Sequence, residues 1–343
     1  MTALLVPKVD LETVRKKLLG SGSMDKKRKI TRHGELFEIP VLKDPEFRSY
    51  TSVIQPCVEY YAPAPTLKSL LMEQLDYEKL ELLPRSWQIL GDIVITSIHP
   101  YLLTVREQVG RALLMMYPYC KSVYLDEGIE GDLRRPIRTL IAVKGETLEP
   151  GSTIHRENGC QFKLDITKVM FSKGNHKERA RMAKLGYGEF VVDMFAGIGY
   201  FTIPMAVHSR PEKILAIELN PDSHKYLVEN IKLNNVEDIV EPVLGDCIEK
   251  TPTSAADRII MGYVKHTGHY LKYGILALKP GGVLHYHDTI LVHSDYLSAL
   301  DEIRARIEFE ASAQGRTAET LDWRRVKKFS PGVWHVVMDA RIN

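Results

Sequence analysis

A glycine-containing segment near the middle of the chain, DMFAGIGYF at 193–201, has the composition of a ligand-binding turn. An apolar run ends at Asp193, and Gly197 and Gly199 follow it closely. Glycine adopts backbone angles that other residues resist, and it lets the backbone approach a ligand. Thr202 stands where the third glycine of a G-x-G-x-x-G pattern would be, which disfavours dinucleotide binding. By itself, the segment could also be a plain glycine turn.

Two acidic residues follow at the ends of the next two predicted strands. Glu218, in AIELN, suits hydrogen bonding to ribose hydroxyls, and Asp246, in LGDC, suits an adenine amino group. A glycine turn followed by these two acids is the order found in class I S-adenosylmethionine (AdoMet) transferases. The sequence therefore predicts an AdoMet site at the carboxyl ends of a parallel sheet. The predicted contacts in this part of the chain are Asp193, Phe195, Ala196, Gly197, Gly199, Phe201, Glu218, Asn220, Asp246, Cys247, Met261 and Gly262.

The segment MGYVKHT at 261–267 lies where the fourth strand of such a sheet would face the acceptor. Many base methyltransferases carry Asn-Pro-Pro-Tyr or Asn-Leu-Pro there, with an amide that grips the target base. Here Gly262 leaves room, and Tyr263 offers a ring and a hydroxyl. This combination fits a bulky acceptor held in position for in-line displacement.

The elements that must position these residues alternate regularly from Glu189 onward. Apolar strands such as EFVVD, KILAIE, ADRIIM and VLHYHDTI are separated by helical segments. Such alternation predicts an α/β fold with a doubly wound, Rossmann-like parallel sheet, as in class I AdoMet-dependent transferases. Smaller N-terminal and middle α+β domains are expected to precede it.

We place the domain boundaries at 1–75, 76–165 and 166–343. The first part has a helical pattern, LETVRKKLLG, and a strand pattern, GELFEIPVL, and YYAPAPTL is a plausible linker. The middle part is mixed and rich in strands. A helix is predicted from Asn175 to Gly186, with Asn175 and Glu178 in a capping-box arrangement.

Composition limits the classes of function. The 343 residues are 44% hydrophobic and 26% charged, with net charge +2, as in an ordinary globular protein. No apolar run reaches about 18 residues, so no membrane span is expected, and we expect a cytoplasmic protein with reduced cysteines.

Residues 1–32 carry nine basic and three acidic residues, and residues 163–184 carry seven basic and two acidic residues. Such patches suit a polyanion, although charge runs are usually solvated faces.

Several segments resemble the archaeal tRNA wybutosine-synthesising aminocarboxypropyltransferases. They are GCQFKLDITKVMFSKGNHKERARMA, VVDMFAGIGYFTIPMA, DRIIMGYV, YHDTI and KKFSPGVWHVVMDA. The resemblance covers 150–343 and is looser over 84–150. The first 75 residues resemble the N-terminal domain of the related tRNA guanine-N1 methyltransferases, and many archaeal aminocarboxypropyltransferases are shorter there.

The resemblance implies a reaction and roles for residues. The family transfers the 3-amino-3-carboxypropyl chain of AdoMet to a ring carbon of 4-demethylwyosine at tRNA position 37, and methylthioadenosine leaves. Ser172 and Lys173 are then expected to bind the carboxylate of that chain, and Glu178 its ammonium or a proton. The expected catalytic residues are Glu178, Tyr263 and Lys173.

The expected partner is the anticodon loop of phenylalanine tRNA. Arg fits bidentate pairing with carboxylate or phosphate, and aromatic side chains can stack on unpaired bases. The predicted tRNA contacts are Lys26, Lys27, Arg28, Arg179, His266, His287, Trp334 and His335. The pair His285 and His287 could suggest a metal, but no ligand cluster completes a site, so we expect no metal and interpret the pair as packing.

Two other functions are kept open. Guanine-N1 methylation at position 37 is the first alternative, which the missing Asn-Leu-Pro motif disfavours. The second is a catalytically silent AdoMet-dependent RNA-binding module, which the intact set of Gly197, Gly199, Glu218 and Asp246 disfavours.

Overall fold

A computed structural model describes residues 1–42, 49–62, 64–131, 134–264, 267–291 and 296–343. The chain separates into two compact units, Met1–Thr66 and Leu67–Asn343. The predicted boundaries near 75 and 165 stay predictions. None of the helices in these described ranges is long and apolar enough to cross a membrane.

The first unit is a small antiparallel sheet with one helix. Its elements are β1 (Thr2–Pro7), α1 (Leu11–Gly20), β2 (Thr31–His33), β3 (Leu36–Pro40) and β4 (Thr51–Ile54). The strand order is β2-β3-β1-β4. Leu4 and Ile39 from the sheet pack with Val14 and Leu18 from the helix. The predicted helix and strand of this part are both present.

The second unit begins with a mixed segment. Its elements are α2 (Leu67–Leu71), α3 (Tyr77–Glu81), β5 (Gln88–Leu90), β6 (Ile93–Thr96), α4 (Arg106–Met116), β7 (Ser122–Glu130), β8 (Arg135–Val143), β9 (Ser152–Glu157) and β10 (Cys160–Asp165). Strands β5 to β8 form a four-stranded sheet in chain order, and β9 pairs with β10. Helix α4 packs on this sheet through Val109 and Leu113.

The rest of the second unit forms the large sheet and its helices. Its elements are α5 (His176–Met182), β11 (Phe190–Asp193), α6 (Thr202–His208), β12 (Lys213–Glu218), α7 (Pro221–Leu233), β13 (Val240–Leu244), α8 (Cys247–Lys250), β14 (Ala256–Met261), α9 (Leu271–Ala277), β15 (Leu278–Leu291), α10 (Tyr296–Ser312), β16 (Ala318–Ser330) and β17 (Val333–Ile342).

The seven strands of the large sheet follow the order β13-β12-β11-β14-β15-β17-β16. The first five are parallel, and β17 runs antiparallel between β15 and β16. The direction in which successive strands are added to the sheet reverses between β11 and β14. Ligands bind at such topological switch points. The predicted class I AdoMet-transferase fold is therefore confirmed, and the antiparallel β16–β17 return is an addition to the prediction.

Helix α5 differs from its prediction in two respects. It ends at Met182 rather than Gly186, and Asn175 stands at the N-cap position without a side-chain hydrogen bond to the helix. Glu178 bonds to Arg181 instead of closing a capping box. The capping-box prediction was wrong because an arginine competes for the carboxylate.

Candidate active site

A cavity of about 530 Å³ lies in the second unit at the carboxyl ends of β11, β12, β13 and β14, within the usual size range of small-molecule sites. Most of its lining comes from the loops after those strands, from the segment before α5 together with α5 itself, and from the β16–β17 hairpin, and Arg134 joins it from the turn before β8. The lining includes Arg134, Ser172, Asn175, Arg179, Phe195, Gly197, Phe201, Glu218, Asn220, Asp246, Cys247, Gly262, Tyr263, Lys327, Phe329 and His335.

The glycine turn after β11 requires glycine for both conformation and space. Gly197 has φ +60° and Gly199 has φ +96°, in the left-handed region that side chains rarely adopt. A Cβ at Gly197 would lie 2.3 Å from the Tyr200 ring. The turn therefore presents bare backbone to the cavity.

Glu218, at the end of β12, is held by that turn. One carboxylate oxygen accepts from the Gly197 N–H and the other from the Asn220 N–H, both at 2.7 Å. Burial raises the pKa of Glu218 despite these bonds. Each oxygen has a further lone pair, so the carboxylate can still accept from ligand hydroxyls.

Asp246 caps the short helix α8 at the third strand's end. Its Oδ1 accepts from the Ile248 N–H at 2.9 Å, and Asp246 and the neighbouring Cys247 both line the cavity. Burial raises the pKa of the Cys247 thiol to about 12, so this cysteine is a neutral lining group. Asn220 lines the cavity while capping α7 through the Asp222 N–H.

Four predicted cofactor contacts lie behind the cavity wall. Asp193, Ala196, Gly199 and Met261 are buried and are not part of the lining. Asp193 accepts from the Phe195 N–H at 3.2 Å and from the Thr202 hydroxyl at 2.8 Å, and burial raises its pKa to about 7. Asp193 thus supports the turn from inside the protein, and the predicted cofactor contacts of these four residues stay predictions.

The acceptor-facing tip of β14 carries Gly262 and Tyr263 as lining residues. A Cβ at Gly262 would lie 2.8 Å from Cε2 of Phe201. Tyr263 stacks on Phe195, with centroids 5.5 Å apart and planes inclined by 25°. Phe201 thus occupies the space that a side chain at position 262 would need.

An arginine lies between two aromatic rings on this side. The Arg134 guanidinium is 5.8 Å from the Tyr263 centroid and 5.9 Å from the Phe329 centroid. Cations favour the face of an aromatic ring. Tyr263 and Phe329 therefore contribute aromatic surface to the cavity lining beside this cation.

The end of the cavity next to α5 gathers Ser172, Arg179 and Lys327. Arg179 is 1% exposed and forms two bonds to Glu157, at 2.7 and 2.8 Å. Burial would raise the pKa of Glu157, but hydrogen bonds with His155 and Arg179 lower it to about 2. Arg179 is thus already paired within the protein, which weakens its assignment as a phosphate contact.

Two predicted catalytic residues are not in the cavity lining. Lys173 turns outward, and its Nζ donates to the Trp87 carbonyl at 3.1 Å. Glu178 is buried in a charge network, 2.6 Å from Arg181. Internal partners hold both side chains, so the geometry does not place them at the ligand, and their roles as carboxylate ligand and base stay predictions.

That charge network continues through the sheet. Asp339 bonds to Arg324 at 2.6 Å and to Nδ1 of His285 at 2.6 Å, and Arg181 lies 3.1 Å away. Burial would raise the pKa of Asp339, but His285 and Arg324 hold it well below its usual range. His285 therefore has a structural role beneath the site.

Lys327 is one of the lining residues absent from the predicted site, together with Arg134, Asn175 and Phe329. The basic run that contains it lies on β16, and β17 pairs with β16 to bring Lys327 opposite His335. The Lys327 ammonium donates to the Ser172 hydroxyl. Only the strand register shows that Lys327, rather than Lys328, faces the cavity.

His335 and His287 form a buried pair, of which His335 lines the cavity. His335 Nε2 lies 3.0 Å from His287 Nδ1. Among the described residues, His335 Nδ1 and His287 Nε2 have no hydrogen-bond partner. Burial, then Lys327 and Arg134, lower the pKa of His335 to about 3, so the imidazole is neutral at pH 7.

The other predicted tRNA contacts fall in different places. Trp334 packs under Arg325, whose guanidinium is 4.0 Å from the ring centroid, and it is not part of the cavity lining. His266 lies outside the described residues. Lys26 and Lys27 are exposed on the first unit.

Arg28 has a structural role instead of the predicted tRNA contact. It is 2% exposed and bonds to Asp25, Gln55 and the Val41 carbonyl at 2.7–3.0 Å. A guanidinium that is buried and bonded in this way cannot also reach a phosphate, so its assignment is corrected.

Comparison with known proteins agrees with this fold. The family model described as "TRM5/TYW2 methyltransferase domain" matches residues 153–317. The "TYW2 N-terminal domain" model matches 67–147, and the "tRNA methyltransferase 5 N-terminal domain" model matches 3–47.

Two curated relatives differ in their activity. A tRNA(Phe) (4-demethylwyosine(37)-C(7)) aminocarboxypropyltransferase of Methanocaldococcus jannaschii is 42% identical over 75% of this chain and 98% of its own. The tRNA (guanine(37)-N(1))-methyltransferase Trm5b of Pyrococcus abyssi is 36% identical over 99% of both chains.

A solved structure is also similar. The crystal structure of P. horikoshii TYW2 in complex with MeSAdo matches with a TM-score of 0.70 and 34% identity, and the match covers 80% of this chain and 97% of that chain.

The fold and cavity are those of a class I AdoMet-dependent transferase. Within that class, the identity to these relatives shows that the chain belongs to the TRM5/TYW2 family.

Proposed function

We propose that this chain transfers the 3-amino-3-carboxypropyl group of AdoMet to a ring carbon of 4-demethylwyosine at position 37 of phenylalanine tRNA. The name and 42% identity of the M. jannaschii relative support this reaction. The match to TYW2 in complex with MeSAdo supports the donor, because methylthioadenosine is what remains of AdoMet after this transfer.

The cavity fits the donor at both ends. The bare turn at Gly197 and the carboxylate of Glu218 suit a ribose, and Asp246 suits an adenine amino group. At the other end, the cavity supplies hydroxyl, amide and cationic groups from Ser172, Asn175 and Lys327. These are the partners that an amino acid moiety requires.

Gly262 is the observation that carries the choice of reaction. A guanine-N1 methyltransferase would benefit from an amide at this strand tip, but here a Cβ would lie 2.8 Å from Phe201. The tip instead places the Tyr263 ring in the cavity lining, stacked on Phe195 and next to Arg134. A tricyclic base offers more area for contact with these planar groups than a purine does.

In this reaction AdoMet supplies a sulfonium, whose bond to the γ-carbon breaks and leaves its electron pair on sulfur. The acceptor ring carbon forms the new C–C bond, and the proton that it carried then passes to water. The residues of this chain contribute by orienting both reactants, which accounts for much of the rate of such displacements. Tyr263 orients the acceptor by stacking.

We assign the tRNA contact outside the cavity to basic side chains that stay exposed. Lys26 and Lys27 in the first unit are such residues, and Lys328 and Arg325 flank Trp334 on the hairpin. Phosphate contacts of this kind position the nucleic acid without reading its sequence. The relation of the family to tRNA also implies work in the cytoplasm.

Guanine-N1 methylation is the second candidate. The match to Trm5b extends over 99% of both chains and includes the N-terminal segment matched at 3–47. Residue 262 argues against this candidate, since the space for an amide is taken by Phe201.

A labelled-donor experiment tests the proposal. Two AdoMet preparations, one labelled in the methyl carbon and one in the carboxyl carbon, are incubated with the protein and tRNA that carries 4-demethylwyosine. We expect the carboxyl label to enter the tRNA and the methyl label to stay in the released nucleoside. Entry of the methyl label alone would overturn the proposal.

A further inference from the structure

Lys327 is a cation in the lining of the cavity, at the end next to α5. Its ammonium donates to the Ser172 hydroxyl. Among the described residues, no carboxylate forms an ion pair with it, and the charged groups that act on it are arginines. An ammonium withdrawn from water is costly unless an opposite charge compensates it.

The charged groups around Lys327 increase that cost. Arg134 from the turn before β8 and Arg179 from α5 both face it, and Glu157 is bonded to Arg179. Burial, then Arg134, then Arg179, lower the pKa of Lys327 to about 8. On the side of β17, His335 is neutral. Among the described residues, no carboxylate lines this end of the cavity.

Gly174 shapes the chain's path to this position. A Cβ at Gly174 would lie 2.4 Å from Cδ of Lys327 and 3.2 Å from its Cβ. The backbone of residue 174 thus packs directly against the lysine stem. A glycine here lets the stem pass and lets its ammonium reach Ser172.

Asn175 supplies a hydrogen-bond acceptor to the same cavity. Its Oδ1 is buried without a hydrogen-bond partner among the described residues, and Asn175 lines the same cavity. A buried acceptor of this kind is costly to leave unsatisfied. An ammonium donor and an unfilled acceptor, side by side, match a ligand that carries both a carboxylate and an ammonium.

We propose that Lys327, together with Ser172, binds the carboxylate of the aminocarboxypropyl chain, and that Asn175 Oδ1 accepts from its ammonium. The identity of the ligand rests on the proposed function. Holding both charged groups fixes the chain by its far end. That orientation turns the γ-carbon, rather than the methyl group, toward the acceptor. Lys327 thus takes the role that the sequence analysis gave to Lys173.

The test is a binding measurement by calorimetry without tRNA, on Lys327→Met with Lys173→Met as the matched control. Lys173 follows the lining residue Ser172 in the sequence, but its ammonium bonds to the Trp87 carbonyl and does not line the cavity. We expect Lys327→Met to weaken AdoMet by about 10–100-fold, as for loss of a charged hydrogen bond. Methylthioadenosine, which lacks the chain, should bind both variants and the wild type within about twofold, a difference of under 0.5 kcal/mol by the same conversion.

Decarboxylated AdoMet gives the second measurement. It keeps the ammonium and the sulfonium, so wild type should bind it about tenfold more weakly than AdoMet, and Lys327→Met should lose that preference. Gly174→Ala keeps the charge but displaces the lysine stem, and it should show the same loss of preference. Melting temperatures verify that each variant is folded.

Two outcomes would overturn the proposal. In one, Lys327→Met weakens methylthioadenosine as much as AdoMet, which indicates a general effect on the cavity. In the other, AdoMet binding is unchanged and tRNA binding falls, which assigns Lys327 to a phosphate. The main test measures AdoMet binding without tRNA. Its outcome is therefore independent of whether the protein performs the proposed transfer reaction.

The pH dependence separates Lys327 from the other groups. Because Lys327 must be protonated to bind a carboxylate, the wild-type affinity for AdoMet should fall as pH rises above about 8. Lys327→Arg keeps its charge and should remove that part of the fall, while any part due to the ligand's own ammonium remains. An identical pH profile for wild type and Lys327→Arg would contradict the proposal.

Discussion

The two ends of the cavity are built in different ways. At the end near β12 and β13, one carboxylate, Glu218, is bonded to two backbone N–H groups of adjacent loops, so all partners are in place. At the end near α5, Lys327 and Asn175 lack ionic or hydrogen-bond partners among the described residues that would satisfy them fully.

This difference has a functional consequence. The Glu218 end, whose polar groups are already satisfied, can hold any ligand that contains adenosine. The Lys327 end, with its uncompensated cation, distinguishes AdoMet from ligands that lack the aminocarboxypropyl chain. We therefore expect adenosine affinity and chain recognition to be separable by mutation, and the predictions below test this separation.

The largest effect is expected for Glu218→Ala. It removes the acceptor that holds the Gly197 turn as well as the ribose partner, so AdoMet and methylthioadenosine should both weaken by about 100-fold. Calorimetry with the two ligands measures this, and Glu218→Gln is the control, with a smaller loss. Unchanged methylthioadenosine binding would remove Glu218 from the adenosine site.

Gly262→Asn tests the acceptor tip. The new Cβ would lie 2.8 Å from Phe201, and overpacking of this kind costs about 1–3 kcal/mol. We expect a lower melting temperature, lower turnover and no gain of methyl transfer. Gly262→Ala, with the same Cβ and no amide, should lose similar stability. If only the Asn variant released S-adenosylhomocysteine, the amide would be the sole missing feature.

Tyr263→Ala should reduce turnover on tRNA by about tenfold, the order of one lost base–aromatic stack. AdoMet binding should change much less, because Tyr263 lies at the strand tip that faces the acceptor and stacks on Phe195. Single-turnover kinetics and calorimetry separate the two, and Tyr263→Phe is the control that keeps the ring. A loss as large in Tyr263→Phe would shift the role from the ring to the hydroxyl.

The smallest effect is expected for charge reversal at Lys26 and Lys27. The tRNA affinity should fall several-fold, and more at low salt, because phosphate contacts release counterions. Reversal of Lys16 and Lys17, which are exposed on α1, is the matched control. Equal losses in both variants would show a general charge effect instead of a local contact.

The sequence could predict the adenosine end because its signals are local. Each of Gly197, Glu218 and Asp246 follows its own strand directly, and parallel strands bring those ends together. The fold class follows from the same alternation. The support role of Asp193 was not predictable, since Asp193 ends β11 just as Glu218 ends β12. The sequence alone does not tell which of the two carboxylates faces the ligand.

The other end could not be predicted for a physical reason. Ser172 and Lys327 are far apart in the sequence and meet through an antiparallel return with irregular register in β16. A shift by one residue would turn Lys328 to the cavity instead. Lys173 bonds to the Trp87 carbonyl from a distant segment, and Glu178 bonds to Arg181 on its own helix. Their predicted roles at the cofactor therefore stay predictions.

The released nucleoside is the most direct test of the central claim. The protein is incubated with AdoMet and either tRNA carrying 4-demethylwyosine or tRNA with unmodified guanosine at position 37, and the by-product is identified by mass. We predict methylthioadenosine with the first tRNA and no turnover with the second. S-adenosylhomocysteine, with guanosine as the preferred acceptor, would mean that the methyl group moved and would contradict the account.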